Sequence, residues 1–245
     1  MRHITCTLIG TCLVTASAAM AGDCLISDNF NDNNPSPLWT LTSMVPSAIG
    51  AQETGGRLGF WGSTNNFTNM LAGGFSNGWK IDMTQDWSLQ ARWHISAPTP
   101  DLYGDSGIAL AILLEGDPSI PYIKDGVSIS GGRTHQPTDG IFDYEIARKW
   151  NEGDNSEYYN YYYRDESDNT LYVWYLASID TLIYNYIDDP TTASVIPNIH
   201  SVSPSPEAWI GFGVYSFGQV GSVPSFNSNN YWADDFCLRY GNVLG

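Results

Sequence analysis

The alternation of apolar and polar residues along short segments is the feature that most limits the folds open to this chain. Residues 87–95 read WSLQARWHI, with apolar residues at the odd positions and polar residues at the even positions. A period of two is that of a β-strand with one buried side and one side in water. No segment of useful length shows the periodicity of a helix. The sequence therefore predicts an all-β protein.

Short β-rich runs separated by Gly, Asn, Asp and Pro continue along the chain, which is typical of a two-sheet antiparallel β-sandwich. Residues 107–114 (GIALAILL) are apolar throughout, so this strand is predicted to lie centrally with both faces covered. Three long loops are predicted at Asn31–Pro37, Pro98–Asp105 and Asp188–Pro206. The predicted strands are Cys24–Phe30, Arg57–Trp61, Trp87–Ile95, Gly107–Leu114, Tyr122–Ser130, Ile141–Trp150, Glu157–Arg164, Leu171–Ser178, Leu182–Tyr186, Ala208–Phe217 and Tyr231–Tyr240.

The first 21 residues have the pattern of a secretory signal peptide. Arg2 is followed by an apolar run and then by small residues that end at Ala21. The apolar run is too short for a permanent membrane span, and no later window is long enough either. We therefore expect an exported protein whose residues 22–245 form a single domain.

Acidic residues far outnumber basic ones. Lys and Arg total 10 against 26 Asp and Glu, a formal net charge of −16, and loss of Arg2 with the signal lowers it by one. Such a chain cannot neutralise a phosphate backbone, which argues against nucleic-acid binding. Its aromatic content of 13% argues against disorder.

Cleavage of the signal removes two of the four cysteines and leaves Cys24 and Cys237. In an oxidising compartment this pair favours one disulfide that joins the ends of the mature chain. The alternative is two buried thiols that do not pair.

Four short motifs are spread along the chain: Asp28-Asn29-Phe30, Leu38-Trp39-Thr40, Gly56-Arg57-Leu58 and Ala233-Asp234-Asp235-Phe236. Together they resemble the concanavalin A-like lectin/glucanase superfamily, in particular secreted bacterial LamG-like domains. The resemblance implies a jelly-roll sandwich whose first and last strands are adjacent. It implies much less about chemistry, since this fold carries lectins, hydrolases, lyases and adhesive modules.

The two terminal strands each place a carboxylate among apolar residues. Strict alternation puts Asp28 on the apolar side of the first strand and Asp234, with Trp232, on that of the last. If the strands pair, the two carboxylates need a cation or several N–H donors, and a structural Ca²⁺ is one solution. The alternative is that both accept N–H groups. Cys237 has the opposite parity to Asp234, so the disulfide requires a bulge or an irregular strand start.

Residues 152–157 contain Glu152, Asp154 and Glu157 in the E-x-D-x-x-E spacing of the laminarinase-type β-glucanases of this superfamily. Retaining glycosidases hold two carboxyl groups about 5–5.5 Å apart on rigid elements. The intervening Gly153, Asn155 and Ser156 are turn formers, so the segment is predicted to be a hairpin loop without catalytic function. The scattered histidines form no zinc motif.

Aromatic residues concentrate in the segments 157–164 (EYYNYYYR) and 171–175 (LYVWY). Sugar rings stack their C–H faces on aromatic rings, so a Tyr-rich sheet face is a candidate glycan platform. The alternative is that these rings pack between the sheets or in cross-strand pairs. The predicted ligand-binding residues are Tyr159, Tyr161, Tyr163, Tyr172 and Trp174.

The sequence and the resemblance together favour a secreted, non-catalytic domain that binds a polysaccharide or another glycan. Two alternatives stay open: a glycoside hydrolase or polysaccharide lyase of the same fold, and a structural surface module without affinity for sugars.

Overall fold

The structure of the protein is a computed structural model. It describes residues 6–7, 11–12, 23–33, 37–43, 49–62, 70–95, 104–115, 125–136, 140–150, 157–163, 168–218 and 229–241, and for some strand residues, among them 157–163, it describes the backbone alone.

Antiparallel β-strands make up most of the described chain, as the alternation predicted. The described residues also form three one-turn 3-10 helices, at Ala177–Ile179, Pro190–Thr192 and Ile199–Ser201. The strands are β1 (Cys6–Thr7), β2 (Thr11–Cys12), β3 (Ile26–Asp28), β4 (Trp39–Ser43), β5 (Ile49–Glu53), β6 (Leu58–Gly62), β7 (Met70–Ser76), β8 (Ile81–Asp82), β9 (Trp87–Ile95), β10 (Gly104–Glu115), β11 (Asp125–Gln136), β12 (Gly140–Trp150), β13 (Glu157–Tyr163), β14 (Asp168–Leu176), β15 (Thr181–Asn185), β16 (Ser194–Pro197), β17 (Glu207–Gly218) and β18 (Tyr231–Tyr240).

The strands form two large sheets. The first sheet has the order β13-β12-β11-β10-β17-β7-β4, with β8 paired to β17, and the second has the order β16-β15-β14-β9-β18-β6-β5, with β3 paired to β18. β1 and β2 pair with each other within the segment predicted to be the signal. The two-sheet sandwich is confirmed, and so is the predicted adjacency of its first and last strands, because β3 pairs with β18.

The apolar core lies between the two sheets. Trp87, Leu89, Ala91, Trp93 and Ile95 of β9 are all buried, as their alternation predicted. The ring of Trp93 reaches across to the first sheet, where a Cβ added at Gly131 would be 3.4 Å from its Cζ2 atom. β10 lies between β11 and β17 with both faces largely covered, which confirms its predicted central place.

A bulge in β18 decides which of its residues enter the core. Asp234 pairs with Arg92 and Cys237 with Gln90, so the register shifts between them, and Asp235 has a left-handed φ of 51°. The predicted core set is therefore wrong before the bulge. Tyr231 and Ala233 join the core, while Trp232 and Asp234 lie on the other side of the sheet. The extra residue moves each side chain that precedes it in β18 to the opposite face of the sheet.

The same bulge brings the cysteines together. Cys24 and Cys237 form a disulfide with a Cα–Cα distance of 5.4 Å, which confirms the predicted pair. The required irregularity is the bulge at Asp235, and it lies in the last strand.

Part of the predicted loop 188–206 is an edge strand. β16 pairs with β15 and ends at Pro197. An edge strand tolerates proline because some of its N–H groups have no partner in the sheet.

The turn that follows is held by the buried Lys149 of the first sheet, whose Nζ donates to the carbonyl oxygens of Pro197 (3.2 Å) and Asn198 (3.4 Å). Asp180 accepts the backbone N–H of His200 at 2.9 Å.

Candidate functional site

The predicted ligand-binding aromatics are divided between the two sheets. Tyr159, Tyr161 and Tyr163 belong to β13, the edge strand of the first sheet, whereas Tyr172 and Trp174 belong to β14 in the second. The structure therefore does not bring all five onto one sheet face.

The pairing of β13 with β12 contains a register shift. Tyr159 pairs with Ala147 and Tyr161 pairs with Ile146, so neighbouring residues of β12 face tyrosines that are two positions apart. This shift interrupts the pattern that placed Tyr159, Tyr161 and Tyr163 on one face. The side chains of 157–163 lie outside the described part of the structure, so their role stays a prediction.

On β14, Tyr172 and Trp174 lie on the side of the second sheet that faces away from the core, which we call the outer face. Their neighbours Leu171, Val173 and Tyr175 point into the core. Trp174 is 0% exposed and packs with Leu176, Ile183, Tyr172 and Ala193. The half-buried Tyr172 stacks on it with a centroid separation of 6.1 Å. A ring without exposed area offers no face to a sugar, so the packing alternative holds for Trp174.

Further along the outer face, Trp61 is a tryptophan with an exposed ring. It is 37% exposed, while its neighbour Phe60 is buried in the core. Trp61 pairs with Gly50 of β5, and a Cβ added at Gly50 would lie only 2.6 Å from the indole Cζ2. The indole therefore occupies the space directly above a residue that has no side chain. An indole seated against the sheet backbone keeps its orientation and turns one side to solvent.

Trp232 lies beside Trp61 and is covered by cations. It pairs with Gly59 on one side and with His94 on the other. The His94 ring stacks on it at 5.1 Å with an interplanar angle of 12°. Cζ of Arg57 lies 5.2 Å and Cζ of Arg92 lies 5.1 Å from the ring centroid. Cation–π contact with the Trp232 ring holds the two flat guanidinium groups in place.

A tight turn positions Arg57. The Thr54 N–H donates to the Arg57 carbonyl oxygen at 2.9 Å, and the central residues Gly55 and Gly56 have φ values of 62° and 73°. Two left-handed residues make the two-residue turn that suits a twisted β-hairpin, and glycine adopts them without steric cost. The Nη2 of Arg57 donates to Oδ1 of Asn229 at 2.8 Å.

One carboxylate adjoins this cationic group. The pKa of the Asp234 carboxyl is raised above its usual value, chiefly because the group is partly buried. The hydrogen bond from the Asp235 backbone N–H lowers this pKa, as do the charges of Arg92 and Arg57, whereas the charge of Asp235 raises it further. The outer face of the second sheet thus carries two indoles, two guanidinium groups, an imidazole and one carboxylate. We call the set Trp61, Arg57, Trp232, Arg92, His94 and Asp234 the Trp61–Trp232 patch.

Asp28 and Asp234, the residues considered for Ca²⁺, lie on opposite sides of the second sheet. Asp28 pairs with the buried Phe236 and faces the core, where its Oδ2 accepts the indole N–H of Trp39 at 2.8 Å and its Oδ1 accepts the Phe30 N–H at 2.8 Å. Asp234 accepts the N–H of Asp235 at 2.8 Å. Both carboxylates thus serve N–H donors, and as a pair they do not fit a calcium site. Among the residues whose placement is described, no group of three or more His, Cys, Asp or Glu could hold a metal ion.

The carboxylates considered for catalysis are beyond what the structure describes. Glu152 and Asp154 fall within 151–156, outside the described residues, and of Glu157 only the backbone at the start of β13 is described. The flanking strands β12 and β13 pair antiparallel, which agrees with a hairpin between them.

Sequence reasoning missed the Trp61–Trp232 patch, although part of the signal was present. The predicted strand Arg57–Trp61 alternates, with Leu58 and Phe60 on one side and Arg57 and Trp61 on the other. The Gly55-Gly56 turn sets the hairpin register that places Gly50 opposite Trp61, so this part was open to sequence reasoning. That Trp232 leaves the core depends on the bulge in β18, which no local pattern encodes.

The fold is shared with solved lectin domains. The carbohydrate recognition domain of Emp47p is similar at a TM-score of 0.55 and 13% identity, covering 88% of this chain and 95% of that one. Lectin UEA-II complexed with galactose has a TM-score of 0.51 at 12% identity, covering 89% of this chain and 100% of that one. The exoplasmic/lumenal domain of VIP36, in a Ca2+/Man3GlcNAc-bound form, has a TM-score of 0.50 at 16% identity, covering 86% and 89%.

No protein-family model matches the chain, and no curated protein matches it in sequence. Identities this low establish the fold and leave the activity to the residues of this chain. Together with the strand order and the pairing of the terminal strands, the likeness confirms the fold that the resemblance implied. The chain has the fold of the concanavalin A-like lectin/glucanase superfamily.

Proposed function

We propose that this protein is an exported, non-catalytic carbohydrate-binding domain that holds a polysaccharide or another glycan on the outer face of its second sheet. The observation that carries the proposal is the exposed indole of Trp61, seated above Gly50. Such a ring is a preorganised platform for the C–H face of a sugar, because little side-chain entropy is lost when the sugar binds. The lectin-like fold supports the same function.

Export is supported by two features. The sequence predicts a signal peptide over residues 1–21, and the Cys24–Cys237 disulfide is of a kind that persists in oxidising compartments. No helix in the described ranges is long and apolar enough to cross a membrane.

The test is binding to a glycan array and to insoluble polysaccharides. Trp61→Ala should weaken binding by about thirtyfold, the effect of removing an aromatic residue at the centre of a binding surface. Gly50→Ala should act in the same direction, because its Cβ displaces the ring. Gly131→Ala is the matched control, since its Cβ meets Trp93 at an ordinary 3.4 Å and the variant should bind like wild type.

A tryptophan on the first sheet tests whether the glycan binds to the second sheet, as proposed. Trp209 of β17 is half-buried in the first sheet, with the Lys80 Nζ 4.8 Å from its ring centroid. Trp209→Ala should bind like wild type. Loss of binding in Trp209→Ala but not in Trp61→Ala would move the site to the first sheet and overturn the assignment. Absence of binding to every glycan by the wild-type protein would overturn the function itself.

The same binding assay tests the residues, the metal and the catalytic role that the sequence suggested. Replacement of Tyr159, Tyr161 and Tyr163 by alanine tests whether β13 adds contacts. Measurement with calcium and with a chelator tests for a metal, and a dependence on calcium would require ligands other than the pair Asp28 and Asp234. Release of soluble oligosaccharide that disappears in Glu157→Gln would contradict the non-catalytic assignment and favour the hydrolase or lyase.

A further inference from the structure

We infer that the ligand of the outer face is an uncharged saccharide, whose ring stacks on Trp61 while its hydroxyl groups bind the side-chain amide of Gln52. The inference rests on the proposed function and adds to it a ligand class and a second binding residue. It follows from which side chains border the exposed indole.

Gln52 lies beside Trp61 on the same face of the second sheet. Gln52 belongs to β5 and pairs with Gly59 of β6. Trp61 is two residues further along β6 and pairs with Gly50. Residues in this diagonal relation share a face and lie about 7–8 Å apart, within reach of a long side chain. A sugar ring stacked on the indole therefore brings its edge within reach of the Gln52 amide.

Two glycines keep the space around these side chains open. The indole of Trp61 lies over Gly50, where an added Cβ would be 2.6 Å from its Cζ2. Gln52 is opposite Gly59, so no side chain of β6 stands between the amide and the indole. The indole and the amide thus form two sides of one corner on the outer face, at the β5 end of the sheet.

The Gln52 amide has the hydrogen-bonding groups that a sugar needs. Its side chain is exposed, and within the described ranges it makes no hydrogen bond. An amide carries two N–H donors and an acceptor oxygen, so it donates to one hydroxyl oxygen and accepts from the hydroxyl beside it. Because the amide has no charge, it recognises hydroxyl groups and gives no advantage to an ionic substituent.

The cations near the indole are engaged within the protein. The guanidinium groups of Arg57 and Arg92 both lie over the Trp232 ring, and the Arg57 Nη2 donates to Asn229 at 2.8 Å. The Nε of Arg57 is buried. The charges of both arginines act on the Asp234 carboxyl and lower its pKa. Stacking and neutral hydrogen bonds therefore remain as the means of binding a ligand at the exposed indole.

The charge of the whole molecule acts against an anionic ligand. A net charge of −16 repels an anionic polymer and attracts a cationic one. That attraction is spread over the surface, and salt screens it. A stacking contact and a neutral hydrogen bond depend little on salt. Salt dependence therefore separates recognition at Trp61 and Gln52 from attraction by the overall charge.

The experiment adds charge series on two backbones to the glycan array. The polymers are the hydroxyethyl, carboxymethyl and quaternised ethers of cellulose, and dextran with its carboxymethyl and diethylaminoethyl forms. Affinities are measured by pull-down and calorimetry at about 50 and about 500 mM NaCl. Binding of the uncharged polymer should change less than about twofold between the two salt concentrations, and Trp61→Ala should weaken it. Binding of the cationic polymer should fall with salt and persist in Trp61→Ala.

Replacement of Gln52 tests the second binding residue. Gln52→Ala should lower affinity for the uncharged polymer by about fivefold, the size expected for one neutral hydrogen bond. Gln52→Glu should lower it as well, because a carboxylate has no N–H donor. A cationic ligand would instead bind Gln52→Glu more tightly than wild type.

The matched control is Gln85→Ala. Gln85 is also exposed, but it precedes β9 at Trp87, whereas Trp232 pairs with His94 at the other end of that strand. The variant should bind like wild type. Thermal denaturation of each variant shows that the fold is retained, which is expected of Gln52→Ala because an exposed side chain leaves the core intact.

The outcomes separate the two proposals. A charged polymer that binds best at high salt and loses its binding in Trp61→Ala overturns the uncharged ligand and leaves the carbohydrate-binding function standing. Wild-type affinity in Gln52→Ala, or an equal loss in Gln85→Ala, overturns the role of Gln52. Failure of every array glycan and every polymer to bind overturns the function, and the inference with it.

Discussion

At the scale of single residues, Asp28 shows how one carboxylate fixes the start of the domain. Its two oxygens accept the indole N–H of Trp39 and the backbone N–H of Phe30, each at 2.8 Å. Phe30 has a left-handed φ of 48°, a conformation that most residues avoid, and the bond from Asp28 holds it. The Asp-x-Phe…Trp pattern of the sequence is thus a hydrogen-bonded unit.

Replacement of Asp28 tests this unit. Asp28→Ala leaves the buried indole N–H of Trp39 without an acceptor and should lower the free energy of unfolding by about 2–3 kcal/mol. For a domain of this size that corresponds to a drop of about 5–10 °C in Tm, measured by differential scanning calorimetry. Asp28→Asn keeps one acceptor oxygen and should lose less. Equal Tm values for Asp28→Ala and wild type would contradict this role.

At the scale of elements, the bulge in β18 is the feature on which the candidate site depends. The extra residue lets Tyr231 and Phe236 both face the core and turns Trp232 outward. Asp235 sits in the bulge with a φ of 51° and an exposed side chain. Asp and Asn adopt left-handed conformations more readily than β-branched residues do.

The backbone conformation at Asp235 predicts a ranking of substitutions. Asp235→Asn should be as stable as wild type, whereas Asp235→Val should lose about 1–2 kcal/mol because its branched side chain clashes in the left-handed region. Urea denaturation gives both values. A valine variant as stable as the asparagine variant would show that the strand has moved its bulge.

The disulfide joins β18 to the segment that precedes β3. It closes a loop with a sequence separation of 213, for which the chain-entropy model gives a stabilisation of about 5 kcal/mol. Cys24→Ser with Cys237→Ser should therefore lower Tm by about 10 °C or more. Each single variant should lose as much as the double, since either one breaks the bond. A reduced wild-type protein with an unchanged Tm would contradict this account.

At the scale of the whole molecule, the excess of acidic residues opposes the compact state. A net charge of −16 creates repulsion across the surface, and salt screens it over a Debye length of about 30 Å at 0.01 M and about 10 Å at 0.1 M. Tm should therefore rise between about 10 and 150 mM NaCl, about a 15-fold increase in ionic strength. Salt also weakens the attraction within the exposed Lys80–Glu207 ion pair, whose N···O distance is 3.3 Å. This effect lowers Tm, but an exposed pair contributes little. A Tm that falls over this range would show that attractive pairs outweigh the repulsion.

How much the sequence predicted depended on whether a feature is local. Strand alternation, the central place of Gly107–Leu114 and the Cys24–Cys237 pair were predictable, because each needs only the residues involved and the β period. The Gly-rich β7 (MLAGGFS) was missed, since glycine carries no pattern of its own. β16 was missed inside a proline-rich segment, because a proline at the end of an edge strand gives the same local signal as a loop.

The sequence by itself determined the all-β class, the two-sheet sandwich, the acidic surface and the disulfide, because periodicity, composition and cysteine count act without knowledge of partners. Only the tertiary structure decided the site. It divided the predicted aromatics between two sheets and buried Trp174. It also gathered Arg57 and Arg92 around a tryptophan that one bulged residue had turned outward. The physical reason is that strand register is a long-range property: a single extra residue exchanges the two faces of a strand, and no local pattern records which face meets the core.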